Sequence, residues 1–335
     1  MIEELLKKDR KLHDLGRIAG DRYEGILTPI YSKNKINDHI HDQFTVNSEI
    51  YIKKYQNTDY WEYLLKTAFK DNEINKFDEF VILDLGSGAG NTVIPILKMF
   101  NNSTVIATDM SIELLCNLKN FLELFYKNVG HNNYKLIQID IHELNSIFKE
   151  GCFDIIIGGA ILHHLYNPQE VLQQCYSVLN DNGIAFFFEP FEKGNMLLSV
   201  LYRLIIAQNK FHNDGIPSGV ANIFEHLCND FNIRSNISKN DDIFKLMDDK
   251  WLFSENYLRE CSDKIGFKSC TFSPLTNNLK SYFETQTKTY LRLSIGFEYD
   301  DLPPWSRDII TIADVTFSDD AKRDLLTEGR IVLKK

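Results

Sequence analysis

Residues 81–90, with the sequence VILDLGSGAG, constrain the fold more than any other part of this chain. The segment begins with a short apolar run, which is typical of a central strand buried on both faces of a sheet. Gly86, Gly88 and Gly90 follow and alternate with small residues. Glycines at this spacing let the backbone turn sharply and present N–H groups to a ligand without interference from Cβ atoms. The pattern predicts a strand that runs into a ligand-binding loop and then into a helix.

Strand and helix patterns alternate up to residue 190, which predicts parallel strands joined by right-handed crossovers. Four predicted strands carry an acidic residue at or near their carboxyl ends, namely Asp84, Asp109, Asp140 and Glu189. A charge beside a buried sheet is unfavourable unless a partner satisfies it. Because ligands of open parallel sheets bind outside the carboxyl ends of the strands, these acids indicate a ligand site along one rim.

The same patterns divide the chain into segments. We predict an N-terminal helical cap, a core that contains the glycine loop, two insertions and a short last strand that pairs antiparallel with the strand before it. The bounds are residues 1–76 for the cap, 77–190 for the core, 191–250 for the first insertion or lid, 251–275 for the continued core, 276–329 for the second insertion and 330–335 for the last core strand. The cap is expected to precede the sheet and to contribute no strand to it.

The predicted cap is rich in aromatic residues. They are Tyr23, Tyr31, Phe44, Tyr51, Tyr55, Tyr60 and Trp61. We expect most of them to pack the cap onto the core and one or two to line a ligand pocket, because aromatic edges and phenol hydroxyls suit an amphipathic site.

Composition and charge argue against several classes of protein. The 37 basic and 47 acidic residues give a formal net charge of −10, which argues against a nucleic acid partner. Six cysteines without a CxxC pair are typical of reduced thiols in a cytoplasmic protein, and they predict neither a disulfide framework nor a metal site. The oligomeric state stays open.

Targeting and membrane signals are not expected either. The first residues, MIEELLKKDRKLHD, lack the apolar core of a signal peptide. The longest apolar stretch, residues 196–207, contains Arg203 and is shorter than the roughly 20 residues that span a bilayer. We therefore expect a cytoplasmic protein without stable membrane insertion.

With these motifs in order and at the right spacing, residues 81–190 resemble the class I S-adenosylmethionine-dependent methyltransferases. The resemblance implies a Rossmann-like α/β fold with a seven-stranded, mostly parallel sheet, helices on both faces, the N-terminal helical cap and the two insertions. It also implies S-adenosylmethionine as the cofactor.

The resemblance assigns roles to residues. In the family, the glycine loop holds the methionine half of the cofactor, and here that loop is Asp84, Gly86, Ser87, Gly88 and Gly90. Asp109 would accept both ribose hydroxyls, since a carboxylate offers two acceptor oxygens, and Met110 would pack on adenine. Asp140 would accept the adenine amino group beside the Ile141 backbone N–H. The segment that closes around the sulfonium end contains Gly158, Gly159 and His163.

A nicotinamide dehydrogenase is the main competing interpretation, because it also has a glycine loop and an acid at the end of its second strand. Its loop needs a third glycine three residues after the second, and that position is Asn91 here. The Asp84 carboxylate would also lie poorly near a pyrophosphate. The spacing therefore favours the methyltransferase.

Methyl transfer requires alignment of nucleophile, carbon and sulfur and exclusion of water, and a general base only if the acceptor enters protonated. His163 and His164 are the candidate bases, because histidine titrates near neutral pH. In a helix, neighbouring side chains point about 100° apart, so only one of them would face the pocket. The alternative is a structural role in the cofactor wall. Glu189 either orients a histidine or holds a substrate hydroxyl.

Three functions remain open. The first is methylation of a small molecule, mainly on an oxygen of a natural-product or sugar-like acceptor. A small acceptor is indicated because the cap and both insertions fall where a pocket lid would lie. The second changes the acceptor to a quinone, lipid or macromolecule, on account of the apolar helix at 196–207. The third is a cofactor-binding protein that transfers no methyl group.

Overall fold

The computed structural model describes residues 2–29, 48–100, 102–126 and 133–335, and it shows an α/β protein built on one sheet. The nine strands in these ranges are β1 (Leu12–Asp14), β2 (Ile26–Pro29), β3 (Val81–Leu85), β4 (Thr104–Asp109), β5 (Tyr134–Gln138), β6 (Phe153–Gly159), β7 (Leu179–Pro190), β8 (Ser269–Pro274) and β9 (Glu328–Lys334). Their order across the sheet is β1-β2-β5-β4-β3-β6-β7-β9-β8. The six strands from β2 to β7 are parallel, whereas β1 is antiparallel to β2, and β9 is antiparallel to both β7 and β8. The Rossmann-like α/β prediction is confirmed.

The N-terminal segment contributes to the sheet, so two expectations are wrong. The described residues form nine strands of the sheet where seven were expected, and two of these strands come from residues 1–76. β2 pairs in parallel with β5, where Ile26 lies opposite Leu136, and Ile26 is fully buried. Strands of three and four residues are too short for their alternation to be recognised. Their pairing supplies partners for the backbone groups along the edge of β5.

Helices connect the strands and cover both faces of the sheet. Their bounds are α1 (Ile2–Leu5), α2 (Gly16–Ala19), α3 (Ser48–Tyr55), α4 (Thr58–Asp71), α5 (Val93–Met99), α6 (Ile112–Tyr126), α7 (Leu144–Ile147), α8 (Pro168–Val178), α9 (Glu192–Gln208), α10 (Ser218–Asn236), α11 (Glu255–Ile265), α12 (Tyr282–Ile295), α13 (Pro304–Thr316) and α14 (Asp319–Asp324). Within the described ranges, none of the helices combines the length and apolar character needed to cross a bilayer.

A separate apolar core joins α9, α10, α12 and α13, which we call the helical layer. Leu198, Tyr202, Phe224, Phe283 and Ile310 are fully buried in it. The helices of the two predicted insertions therefore pack on each other. The apolar stretch at 196–207 lies in α9, where it supplies much of this core.

Candidate active site

The loop after β3 bends in a way that only glycine adopts easily. Gly86, Gly88 and Gly90 have φ values of 63°, 51° and 97°. A Cβ atom at Gly86 would lie 2.7 Å from the Cδ1 atom of Ile161. Both the positive φ and this close approach explain why the loop needs glycine at position 86.

A cleft of about 280 Å³ opens at the carboxyl ends of β3, β4 and β6, where the strand order reverses around β3. Three parts of the chain supply its walls: α3, the rim of the sheet, and the segment between α10 and α11 (residues 237–254), which we call the α10–α11 segment. The lining residues include Tyr51, Gly86, Gly88, Asp109, Met110, Asp140, Ile141, Gly159, His164, Lys245, Asp248 and Lys250.

Six of the predicted cofactor residues lie on this cleft, and five do not. Those on the cleft are Gly86, Gly88, Asp109, Met110, Asp140 and Ile141. Those not on its wall are Asp84, Ser87, Gly90, Gly158 and His163. Gly90 and Gly158 are required for packing, since a Cβ atom would lie 2.5 Å from the Leu118 and Phe187 side chains respectively.

Asp109 ends β4 and anchors the glycine loop. Its Oδ2 accepts a hydrogen bond of 2.8 Å from the Gly88 N–H, and its Oδ1 accepts one of 2.7 Å from the Ser111 N–H. Burial raises the pKa of the Asp109 carboxyl to about 6, although the backbone donors lower it in part. The carboxylate thus fixes the loop and also faces the cleft.

Asp84 lies in β3, two residues before Gly86, and is fully buried. Neither of its carboxylate oxygens makes a well-aligned hydrogen bond with a described residue. Burial raises the pKa of Asp84 to about 7, while the nearby hydroxyls of Ser87 and Thr92 lower it in part. A negative charge at this position has no described cation beside it.

Asp140 follows β5 and caps the next turn of the chain. Its Oδ1 accepts a 2.9 Å hydrogen bond from the His142 N–H and lies 2.7 Å from the His142 Nδ1 atom. The hydrogen bond to Asp140 raises the pKa of His142, against the effect of burial. His142 was not among the residues predicted from the sequence, because nothing in its spacing marks it.

Glu189 holds the segment 161–164 in place from the end of β7. Its Oε1 accepts the backbone N–H groups of Ile161 and Leu162 at 3.0 and 2.7 Å, and its Oε2 lies 2.6 Å from the Nδ1 atom of His163. Glu189 is 2% exposed. Of its two predicted roles, the geometry fits orientation of a histidine, because the backbone and the ring already occupy both oxygens.

The two histidines occupy different positions. His163 is 7% exposed and lies behind the cleft wall, whereas His164 lines the cleft. Burial alone would lower the pKa of His163, but the charges of Asp249 and Glu189 outweigh burial and raise it to about 9. Burial and the neighbouring His163 lower the pKa of His164 to about 3. Only one of the pair therefore faces the cleft, as expected for adjacent residues.

Asp249 is a residue that sequence reasoning missed. Its Oδ1 lies 3.4 Å from the His163 Nε2 atom and 3.3 Å from the His164 Nδ1 atom. On its other side, Oδ2 lies 3.4 Å from a guanidinium nitrogen of Arg234. Burial would raise the pKa of Asp249, but these neighbours outweigh it and lower the pKa. Nothing in the chain pattern links Asp249 to residues 163 and 164, because the α10–α11 segment meets them only in the folded protein.

Hydrogen bonds join the α10–α11 segment to the histidine segment. The His163 carbonyl oxygen accepts the backbone N–H of Lys250 at 2.7 Å, and the Leu165 carbonyl oxygen accepts the Trp251 indole N–H at 2.8 Å. Tyr166 donates its hydroxyl to the Phe244 carbonyl oxygen at 3.1 Å. The cleft wall is therefore held by backbone groups as well as by side chains.

Tyr51 and Trp61 take the two positions expected of the aromatic residues in the N-terminal segment, whereas Tyr55 and Tyr60 are 38% and 42% exposed. Tyr51 lines the cleft, and burial together with the charge of Asp109 raises its pKa. Trp61 packs against Phe188 in a T-shaped arrangement, with ring centroids 5.5 Å apart. Tyr31 and Phe44 lie outside the described residues.

Comparison with known proteins identifies the family. The profile of a family described as a methyltransferase domain matches residues 76–250, just over half of the chain. The protein belongs to the class I S-adenosylmethionine-dependent methyltransferases. Its cofactor is accordingly S-adenosylmethionine.

Relatives of this methyltransferase include two O-methyltransferases. The malonyl-[acyl-carrier protein] O-methyltransferase of Halalkalibacterium halodurans is 34% identical over 108 residues, which are 32% of this chain and 37% of that protein. The ubiquinone biosynthesis O-methyltransferase of Glaesserella parasuis is 23% identical over 215 residues, which are 64% of this chain and 78% of that protein. A crystal structure of a SAM-dependent methyltransferase from Archaeoglobus fulgidus aligns with 86% of this chain and 98% of its own, at 13% identity and a TM-score of 0.46.

Proposed function

We propose that this methyltransferase transfers the methyl group of S-adenosylmethionine to an oxygen atom of a small natural-product or sugar-like molecule. One observation carries the proposal: a single cleft joins the sheet rim at Gly86 and Asp109 to the side chains of His164, Asp248 and Lys250. The rim offers a site for the cofactor, and the α10–α11 segment offers a polar wall for an acceptor. The two O-methyltransferase relatives support oxygen as the methylated atom.

The residues present fit the cofactor. The glycine loop leaves backbone space where a Cβ atom would intrude, and Asp109 keeps acceptor capacity beyond its two backbone donors. Asp84 is a buried carboxylate with no described basic group beside it, and a cationic ammonium group nearby would stabilise its charged form. We assign the ribose hydroxyls to Asp109, the adenine ring to Met110 and Ile141, the adenine amino group to Asp140, and the methionine half to the loop at residues 86–90.

The chain's own contribution is mainly positioning. The bound cofactor supplies a methyl group that its sulfonium has already activated. The cleft walls hold the acceptor oxygen in line and exclude water. We assign His164 to contact the acceptor, because it is the histidine on the cleft, and His163 and Glu189 to position it from behind.

Binding and turnover test the proposal separately. Asp109→Asn should weaken S-adenosylmethionine binding about 10- to 100-fold by calorimetry, since it removes a charged acceptor. Asp154→Asn is the matched control: Asp154 also accepts a backbone N–H, that of Val81 at 2.7 Å, but it lies at the opposite end of the strands. Equal affinity in wild type and Asp109→Asn would contradict the assignment.

Turnover requires an acceptor panel. Incubation with methyl-labelled S-adenosylmethionine and hydroxylated aromatic, sugar and acyl compounds should give S-adenosylhomocysteine and a labelled product. Label on nitrogen or carbon would overturn the choice of oxygen. Binding without any labelled product from the panel or from a metabolite extract would favour a protein that binds the cofactor without transferring methyl groups.

A quinol is the second candidate acceptor. The ubiquinone biosynthesis relative aligns with 64% of this chain, the larger share of the two relatives described. Two exposed apolar residues of α9, Val200 and Leu204, offer a surface for an apolar tail. A short-chain, water-soluble quinol added to the same assay distinguishes this acceptor from the sugar-like class.

A further inference from the structure

Three side chains of metal-binding type converge beside the cleft. One ring nitrogen each of His163 and His164 and a carboxylate oxygen of Asp249 lie within 4.8 Å of one another. One oxygen, Oδ1 of Asp249, is 3.4 Å from the Nε2 atom of His163 and 3.3 Å from the Nδ1 atom of His164. The three groups come from two segments that are distant in the sequence, so the fold brings them together.

The two Asp249 distances are long for charge-assisted hydrogen bonds and fit a shared ion. The His164 Nδ1 atom also lies 3.2 Å from the Asp248 carbonyl oxygen, so ion binding would have to release the proton that this nitrogen donates there. Charge-assisted N–H···O bonds usually measure about 2.7–2.9 Å. His163 makes such a short bond on its other side, where Nδ1 lies 2.6 Å from Glu189. Two ligands of one tetrahedral ion, each bound at about 2.0–2.2 Å, are separated by about 3.3–3.6 Å. The two Asp249 distances fall in that range.

The surrounding groups resemble the outer shell of a metal site. Metal-binding histidines usually donate their second ring N–H to a carboxylate, which fixes the ring and its tautomer. Glu189 occupies that position behind His163, and it is itself held by the backbone N–H groups of Ile161 and Leu162. Arg234, 5% exposed, faces the other oxygen of Asp249.

We propose that His163 Nε2, His164 Nδ1 and Asp249 Oδ1 bind one divalent transition-metal ion, for which Zn²⁺ is the best candidate. Two imidazoles and one carboxylate form a donor set that suits Zn²⁺, and three protein ligands leave a position for water or substrate. Because His164 lines the cleft, the ion lies at the cleft wall. There it would lower the pKa of an acceptor hydroxyl, a role that, unlike the metal site itself, rests on the proposed function.

Metal content of the full chain tests the site. After treatment with a chelator and dialysis against Zn²⁺, elemental mass spectrometry should find one zinc per wild-type chain and none in Asp249→Asn or His164→Ala. Asp230→Asn is the matched control, because Asp230 also pairs with Arg234, at 3.0 Å, but lies outside the cluster. It should keep its zinc. Glu189→Gln should bind Zn²⁺ about 10- to 100-fold more weakly.

A measurement on the wild type alone guards against variants that do not fold. Co²⁺ added to the metal-free protein should give the intense visible absorption of a tetrahedral site, and Zn²⁺ should abolish it. Absence of that spectrum, or equal zinc content in wild type and in folded Asp249→Asn, would overturn the proposal. The titrations contain no cofactor, and S-adenosylmethionine affinity is measured separately, so failure of the metal site leaves methyl transfer standing.

Discussion

Asp84 places a carboxyl group inside the sheet with no described basic side chain beside it. The group is fully buried, and its pKa of about 7 is about three units above 3.8. In the unfolded chain the carboxyl ionises near pH 4, so the folded protein loses stability as the pH rises from about 4 to 7 and carries the whole penalty above that. At about 1.4 kcal/mol per unit, the penalty is on the order of 4 kcal/mol.

Asp84→Asn should therefore stabilise the cofactor-free protein at high pH. We expect the thermal midpoint of the variant to exceed that of wild type at pH 8, by less than the full penalty because the amide is also a buried polar group. The difference should shrink towards pH 5, where the wild type holds its proton. Thermal unfolding from pH 5 to 8 measures it, with Asp154→Asn as a control that removes a hydrogen-bonded carboxylate. A midpoint difference independent of pH would contradict this account.

Gly86 and Gly296 offer a matched pair of glycines with φ values of 63° and 64°. A Cβ atom would meet Ile161 at 2.7 Å in the first case and no described atom within 4 Å in the second. Gly296→Ala should cost about 1 kcal/mol from backbone strain alone and leave cofactor affinity unchanged. Gly86→Ala should cost more and weaken S-adenosylhomocysteine binding. Denaturant unfolding and calorimetry check both, and equal effects of the two variants would show that the Ile161 contact is unimportant.

The sequence predicts residues of the site only where one segment carries the whole signal. Gly86, Gly88 and Asp109 follow strand patterns that can be recognised locally, and they lie on the cleft. Asp249 lies 85 residues after His164, in a segment whose path the sequence does not reveal. Gly158 was expected at the cofactor site, but it does not line the cleft. Its missing side chain instead leaves room for Phe187.

At the scale of elements, strong local signals predict structure and weak ones do not. The run from Asn167 to Glu170 predicts a helix start, and α8 begins at Pro168 with the Asn167 side chain accepting the Glu170 N–H. β1 and β2 have no comparable signal, because three or four residues are too few to show the alternation of a strand. Their existence depends on the edge of β5, which is a tertiary feature.

Tyr202 links three helices of the helical layer. It is fully buried, stacks on Phe224 with ring centroids 4.3 Å apart, and shares a 3.1 Å hydrogen bond with Thr287. Tyr202→Ala should destabilise this layer by about 3–5 kcal/mol through the cavity it leaves. Tyr202→Phe, which removes only the hydroxyl, should cost about 1 kcal/mol.

Hydrogen exchange shows which helices and strands Tyr202→Ala destabilises. Amides of α9, α10 and α12 should exchange faster, whereas β3 should stay protected, because the helical layer has an apolar core of its own. Methyl transfer should then fall more than cofactor affinity. Equal loss of protection in β3 would mean that the layer and the sheet unfold as one unit.

At the scale of the whole molecule, one cleft depends on three parts of the chain that are distant in sequence. Tyr51 comes from α3, Gly86 and Asp109 from the sheet rim, and Lys250 from the α10–α11 segment. A ligand that touches all three should stabilise them together. At 100 times its dissociation constant, S-adenosylhomocysteine should raise the free energy of unfolding by about 2.7 kcal/mol.

The expected exchange pattern follows from the same geometry. S-adenosylhomocysteine should slow hydrogen exchange in residues 48–55, 86–111 and 245–251, because ordering any one wall of the cleft restricts the others through the bound ligand. α13 should be unaffected, because none of its residues lines the cleft, and it serves as the internal control. Protection confined to residues 86–111 would show that α3 and the α10–α11 segment do not close on the cofactor. The acceptor, and not the cofactor, would then have to order those two walls.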